Sequence, residues 1–141
     1  MMEQERRVGG RKIWILMGCV LMMGLGQVNA QPEQHVEVSI KDYTFRTTQM
    51  PLRLNTATVI HVRNDDDVRH DFGSTIFQNN STRVENRGVI TYGEDIGGAF
   101  LDPGQEVTFR FVIERPGRYQ FQCSIHSDMK GEILLLSVGA V

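Results

Sequence analysis

Beyond residue 30, apolar and polar residues alternate with period two, and no segment carries a sustained helical stripe. Val36, Val38 and Ile40 alternate with Glu37, Ser39 and Lys41, which predicts a first strand with one buried face. A β-branched run from Val59 to Arg63 predicts another, entered after Asn55. Asp102-Pro103-Gly104 places proline and glycine in the order a type II turn requires. The strand expected after it puts Val107, Phe109, Phe111 and Ile113 on one face, opposite Thr108 and Arg110, until Pro116-Gly117 turns the chain. Tyr119, Phe121 and Cys123 then share a face, and a run from Ile133 to Val138 closes the pattern. Short strands divided by turn signals predict an all-β, Greek-key β-sandwich in a single domain. The stretch from Gly73 to Phe100 has room for short strands but resists their placement. It is rich in Asn, Gly and Thr and carries Arg83, Glu85, Arg87, Glu94 and Asp95 without a readable period. A loop of that length in a compact domain is functional, mobile or misread.

The N-terminus has a different pattern. Arg6, Arg7, Arg11 and Lys12 precede an apolar run of 14 residues, Ile13 to Gly26, and Val28-Asn29-Ala30 follows as a small-residue cleavage site. These features predict a cleaved signal peptide over 1–30, cut after Ala30, and a domain over 31–141 exported to a periplasm or another exported space. The apolar run is short of the roughly 20 residues a membrane-spanning helix needs, so no stable membrane insertion is expected after cleavage. Leu16-Met17-Gly18-Cys19 loosely matches a lipoprotein signal. Against that reading, Met17 is large where a small residue is preferred, and the apolar stretch continues past Cys19.

Composition changes the picture at two points. With 40% hydrophobic and 23% charged residues over 141 positions, the chain is built like one folded domain and not like a disordered segment. Loss of the leader leaves 11 basic and 15 acidic residues, a net charge of −4. That balance argues against nucleic acid, which is bound by clustered lysine and arginine.

Cleavage also leaves a single cysteine, Cys123. An unpaired thiol in an oxidising compartment is liable to oxidation, and metal ligation would explain its presence, since a coordinated thiolate is occupied. A buried, inert cysteine is the competing reading. Cys123-Ser-Ile-His126-Ser-Asp-Met129 offers a thiolate, an imidazole and a thioether within seven residues, directly after a strand. His70, just beyond the strand that ends near Asn64, is the candidate for a second imidazole. Two imidazoles, one thiolate and a weak thioether suit copper as both Cu(I) and Cu(II), whereas structural zinc more often has four strong donors. Met129 can equally be a residue that packs on the core.

Leu101-Asp-Pro-Gly-Gln-Glu-Val-Thr-Phe-Arg-Phe and Pro116-Gly-Arg-Tyr-Gln-Phe-Gln-Cys-Ser-Ile-His-Ser-Asp-Met-Lys-Gly-Glu-Ile133, with His70-Asp-Phe, resemble the plastocyanin and amicyanin group of cupredoxins. The matched segments cover about half of the chain after the leader, and Cys-x2-His-x2-Met is similar to the compact amicyanin spacing. The resemblance implies one copper ion with His70, Cys123 and His126 as equatorial ligands and Met129 as the axial one. It departs from the family at Asp71, where asparagine is common and steadies the cysteine loop, and at the 73–100 stretch, which has no counterpart. The binuclear copper site of cytochrome oxidase subunit II also ends in a His-Ser-x-Met segment but needs two cysteines, and only Cys123 is present.

The remaining candidates have plainer readings. His61 lies in an alternating strand and is expected to face away from the core. His35 is expected to be solvated, Met50 beside Pro51 to pack, and Asp65-Asp66-Asp67 to form a solvated turn, with partner docking as the alternative. Asn80-Ser81-Thr82 fits a glycosylation acceptor. The expected function is a one-electron carrier cycling Cu(I)/Cu(II) between redox partner proteins, monomeric and not itself an enzyme. Two alternatives stand beside it: a copper delivery protein, and a copper site altered by water or by a carboxylate such as Glu85, Glu94 or Asp95.

Overall fold

The alternation at Val36, Val38 and Ile40 becomes β1 (Gln34–Lys41), which turns through Asp42 and Tyr43 into β2 (Thr44–Thr47). Both turn residues hold positive φ, 53° and 56°, the handedness that lets a two-residue turn join twisted strands. The computed structural model describes residues 32–48 and 52–135. The expected leader at 1–30 with Cys19, Met50 with Pro51, and the end of the last expected strand at 136–138 lie outside the described residues.

Ten strands are described. After β1 and β2 come β3 (Ala57–Asn64) and β4 (His70–Ser74), then a short 3-10 turn at Thr75–Phe77. Next are β5 (Thr82–Asn86), β6 (Val89–Gly93), β7 (Gly98–Leu101), β8 (Glu106–Val112), β9 (Gly117–Gln122) and β10 (Lys130–Leu135). They form a six-stranded sheet in the order β2-β1-β3-β8-β5-β6 and a four-stranded sheet in the order β10-β9-β4-β7. Pairing is antiparallel except between β1 and β3. The all-β, two-sheet sandwich expected from the period-two pattern is the observed fold.

The core lies between the sheets, where the alternating faces meet. Val36, Val38, Ile40, Ile60, Val62, Val107, Phe109 and Phe111 come from the larger sheet, and Phe72, Leu101 and Leu135 from the smaller. Phe77, on the 3-10 turn, stacks on Phe109 at 4.6 Å between ring centroids, and Phe72 tilts against Phe109 at 5.9 Å. Such aromatic pairs add to area burial and fix the spacing of the layers.

The turn expected at Asp102-Pro103-Gly104 is present, with Gly104 at φ 73° and the Gln105 amide donating to the Asp102 carbonyl. It is pinned to the end of β3, because Gly104 N–H donates to Asn64 O and Asn64 N–H to Gln105 O, each at 2.9 Å. The 73–100 stretch is not a loop. It contributes the 3-10 turn and β5, β6 and β7, extending one sheet past β8 and flanking β4 in the other.

Strand β7 approaches β4 closely where Gly73 faces Gly98. Gly98 has φ 153°, and an added Cβ would crowd the Phe72 carbonyl and sit 2.6 Å from Gly73 Cα. A Cβ on Gly97 meets open space. Gly98→Ala should therefore lower the unfolding free energy by about 2 kcal/mol or more, and Gly97→Ala by no more than about 0.5 kcal/mol. Urea denaturation at constant m-value separates them, and equal stability of the two variants would contradict the close β4–β7 packing.

Candidate metal centre

His70, Cys123 and His126 converge at one end of the sandwich. His70 opens β4 and is fully buried, Cys123 follows β9 and is buried, and His126 is half-buried. Cys123 Sγ lies 3.9 Å from His70 Nδ1 and 3.6 Å from His126 Nδ1, and one donor atom from each residue falls within 4.8 Å of the others. Separations of this size belong to donors that flank a single small ion at bond lengths of about 2.0–2.3 Å, so the set fits a trigonal metal site.

The loop after β9 is closed by its own main chain. Cys123 N–H donates to Met129 O at 2.9 Å, and Met129 N–H donates to His126 O at 3.0 Å. Two residues between Cys123 and His126 let the turn bring the imidazole back over the sulfur. Met129 is buried where the loop leads into β10, in the wall of a hollow that Tyr43 and Phe45 also line.

His70 is oriented from behind by Asp66. Its Nε2 is 2.9 Å from Asp66 Oδ2, which leaves Nδ1 facing the sulfur. The same carboxylate accepts from Asp42 N–H at 2.7 Å and Tyr43 N–H at 3.0 Å. Burial pushes the Asp66 carboxyl up, but these two amides and His70 outweigh it and hold the group below its ordinary range. Asp66 is thus neither a solvated turn residue nor part of a docking patch; it is buried behind a candidate ligand. Its four-residue spacing from His70 is the one local signal that could have suggested this.

Asp71 occupies the position where the resembled family commonly has asparagine, and it keeps the contact. Its Oδ1 accepts from Ser124 N–H at 2.6 Å and Ser124 Oγ–H at 3.1 Å, holding the cysteine loop against β4. A protonated Cys123 Sγ donates to the same oxygen at 3.1 Å, and Asp71 N–H points at the sulfur from 3.4 Å. The substitution therefore preserves the brace and adds a carboxylate beside the thiol.

Tyr43 is a further residue that sequence reasoning missed. Its ring meets both imidazoles edge-on, with centroids 5.4 Å from His70 and 5.0 Å from His126. Nothing local to Tyr43 announces this, because the β1–β2 turn and the cysteine loop meet only in the folded chain. The other candidates fall outside the cluster. His61 sits between Glu37 and Glu106 on the outer face of the large sheet, and His35 is exposed beside Glu33. Glu85 pairs with Arg83, and Asp95 accepts from the Asn79 amide, so neither joins the ligand group.

The chain matches the family model of the cupredoxin-like domain over residues 13–135. Among solved structures, auracyanin B is 22% identical with a TM-score of 0.52, covering 78% of this chain and 94% of its own. A multicopper oxidase is 12% identical with a TM-score of 0.53, covering 74% of this chain, which spans only 44% of that protein. A Cu(I) structure of an amicyanin mutant aligns at 13% identity and a TM-score of 0.43, over 71% of this chain and 80% of its own. No curated protein matches the chain in sequence. A family match over most of the chain, on a sandwich ending in a His-Cys-His cluster that points to copper, places this protein in the cupredoxin-like family.

Proposed function

We propose that this protein is an exported one-electron carrier and not an enzyme, binding one copper ion through His70 Nδ1, Cys123 Sγ and His126 Nδ1, with the Met129 thioether as a weak axial donor. The observation that carries this reading is the convergence of one thiol and two imidazole nitrogens within 4.8 Å, with His70 and Cys123 buried and His126 half-buried. Bound copper would supply a one-electron Cu(I)/Cu(II) couple.

The protein's part is to keep the donors still in both states. His70 is enclosed and held by Asp66, Cys123 is held by the Met129 carbonyl and the Asp71 amide, and His126 is held through its carbonyl. His126 is half-buried beside exposed Tyr43 and Ile125. Its ring edge gives an electron a short way to a redox partner protein without opening the site. The burial of His70 and Cys123 weighs against a delivery role, in which a partner must reach the donors. Export is supported by the leader-like N-terminus and by a thiol that ligation would protect.

Addition of Cu(II) should produce an intense blue thiolate-to-copper band that Cys123→Ser abolishes; a protein that binds Cu(II) without such a band would sink the proposal. Asp66→Ala leaves two turn amides unpaired and frees the His70 ring, so copper affinity in chelator competition should fall about 10- to 100-fold with the blue band retained. Unchanged affinity would mean that Asp66 serves the fold alone. Asp71→Asn keeps an oxygen for Ser124 but removes a negative charge next to the sulfur. A unit charge about 5 Å from a redox centre at an effective dielectric near 20 is worth about 3 kcal/mol, so the reduction potential should rise by on the order of 100 mV. Voltammetry of the two proteins checks the sign.

A further inference from the structure

Strand β6 ends the six-stranded sheet, and its outer edge has no partner among the described residues. Arg87 and Gly88, at φ 50° and 75°, form the two-residue turn from β5 into β6. Such a turn closes on a hydrogen-bonded pair, here Asn86 with Val89. By alternation Val89, Thr91 and Gly93 direct their amides and carbonyls to β5, while Ile90 and Tyr92 direct theirs outward.

Open edges normally carry charge, proline or a cover that prevents pairing. The other edges of the two sheets follow that rule: β2 carries Arg46, β10 carries Lys130 and Glu132, and the Arg69 guanidinium lies over Phe100 of β7 at 4.7 Å. Strand β6 reads Val-Ile-Thr-Tyr-Gly, without charge or proline, and Val89, Ile90 and Tyr92 are 65%, 47% and 70% exposed.

The charges flanking β6 indicate its occupant. Arg87 stands at one end, its guanidinium also 2.9 Å from Asp102 of the same chain, and Glu94 and Asp95 stand at the other, Asp95 also accepting from the Asn79 amide; all three are exposed. Consider a second copy laid antiparallel about a two-fold axis through Thr91. Ile90 then exchanges both backbone hydrogen bonds with Tyr92 of the second copy, and Tyr92 with its Ile90, so every outward amide and carbonyl of these two residues is satisfied. The same register sets Arg87 opposite Asp95 of the second copy at both ends. A parallel pairing would instead bring Arg87 beside Arg87. We infer that β6 is the surface through which two copies of this protein associate, joining their six-stranded sheets edge to edge. It departs from the monomer expected from sequence, and it does not depend on the copper site. Strand pairing over five residues buries little area, so the association is concentration-dependent.

The experiment uses the protein expressed from the full chain and purified in its exported form. Sedimentation velocity over a concentration series should show a monomer–dimer equilibrium. Ile90→Lys and Tyr92→Lys should each weaken it about tenfold or more, because each sets an ammonium against a neighbouring strand. Thr91→Cys tests the register directly. Residues opposed in a non-hydrogen-bonded pair have Cα atoms about 4.5 Å apart, so mild oxidation should cross-link this variant as a dimer while buried Cys123 stays out of reach. Circular dichroism confirms that each variant is folded. Monomer at every concentration, a dimer indifferent to both lysine variants, or β6 occupied by a different protein would overturn the inference.

Discussion

Asp66 is a carboxylate with almost no exposed surface, and it can stay ionised there only because donors surround it. Two backbone amides from the β1–β2 turn and the His70 ring converge on its two oxygens, while its own amide donates to Asn64 Oδ1. A buried carboxylate lacking such partners costs several kcal/mol, so the four groups form one unit in which none shifts alone. The unit reaches further than the site. Asn64 Nδ2 donates to the carbonyls of Val68 and Leu101, tying the segment before His70 to the end of β7. Tyr43, in a left-handed conformation that bulky residues seldom adopt, is held there by the same carboxylate and so presents its ring to both imidazoles.

Stiffness of this kind suits electron transfer better than metal exchange. A donor set that relaxes with each change of charge adds reorganisation to every turnover, whereas one fixed by neighbouring strands does not. His70 and Phe72 leave β4 on the same face, so the strand that delivers the imidazole is anchored two residues later in the aromatic core. Asp71 points to the other side and braces Ser124. The two halves of the candidate ligand set, one from β4 and one from the loop after β9, are locked across this hydrogen bond. A carboxylate beside the sulfur also favours the more positive, oxidised state of a bound ion, which makes Asp71 an electrostatic as well as a mechanical element.

Where burial is one-sided, the sequence is readable. Val107, Phe109, Phe111 and Ile113 face the core with polar or exposed neighbours between them, and the period-two pattern locates β8 closely. The convergence of His70, Cys123 and His126 is legible for a related reason, since Cys123 and His126 are close in sequence and His70 follows a recognisable strand. Asp66 and Tyr43 are less so: Asp66 lies four residues from His70, but the turn amides that hold its carboxylate, and the place of Tyr43 beside the imidazoles, come from contacts across 23 or more residues that no local pattern encodes. In Asp65-Asp66-Asp67 the first aspartate binds Ser39 and Arg63 at the surface while the second turns inward, and composition cannot separate the two.

The same physics explains why β6 was hidden in the 73–100 stretch, whereas β5 does alternate in burial, with Thr82 and Val84 inward, but shows only one apolar residue on that face. A strand covered on one face must alternate, but one extending past the smaller sheet is covered on neither and is free of that requirement. The first four residues of β6 are exposed, in contrast to the alternating burial of β8. Absence of a period is therefore a sign of missing cover, not of missing structure. Exposure on both faces would ordinarily select polar residues, and a thoroughly polar β6 would need no explanation. Valine, isoleucine and tyrosine are retained there instead, between a cationic turn and an acidic one, and an antiparallel copy of the same strand satisfies the apolar surface, the open backbone edge and the flanking charges together.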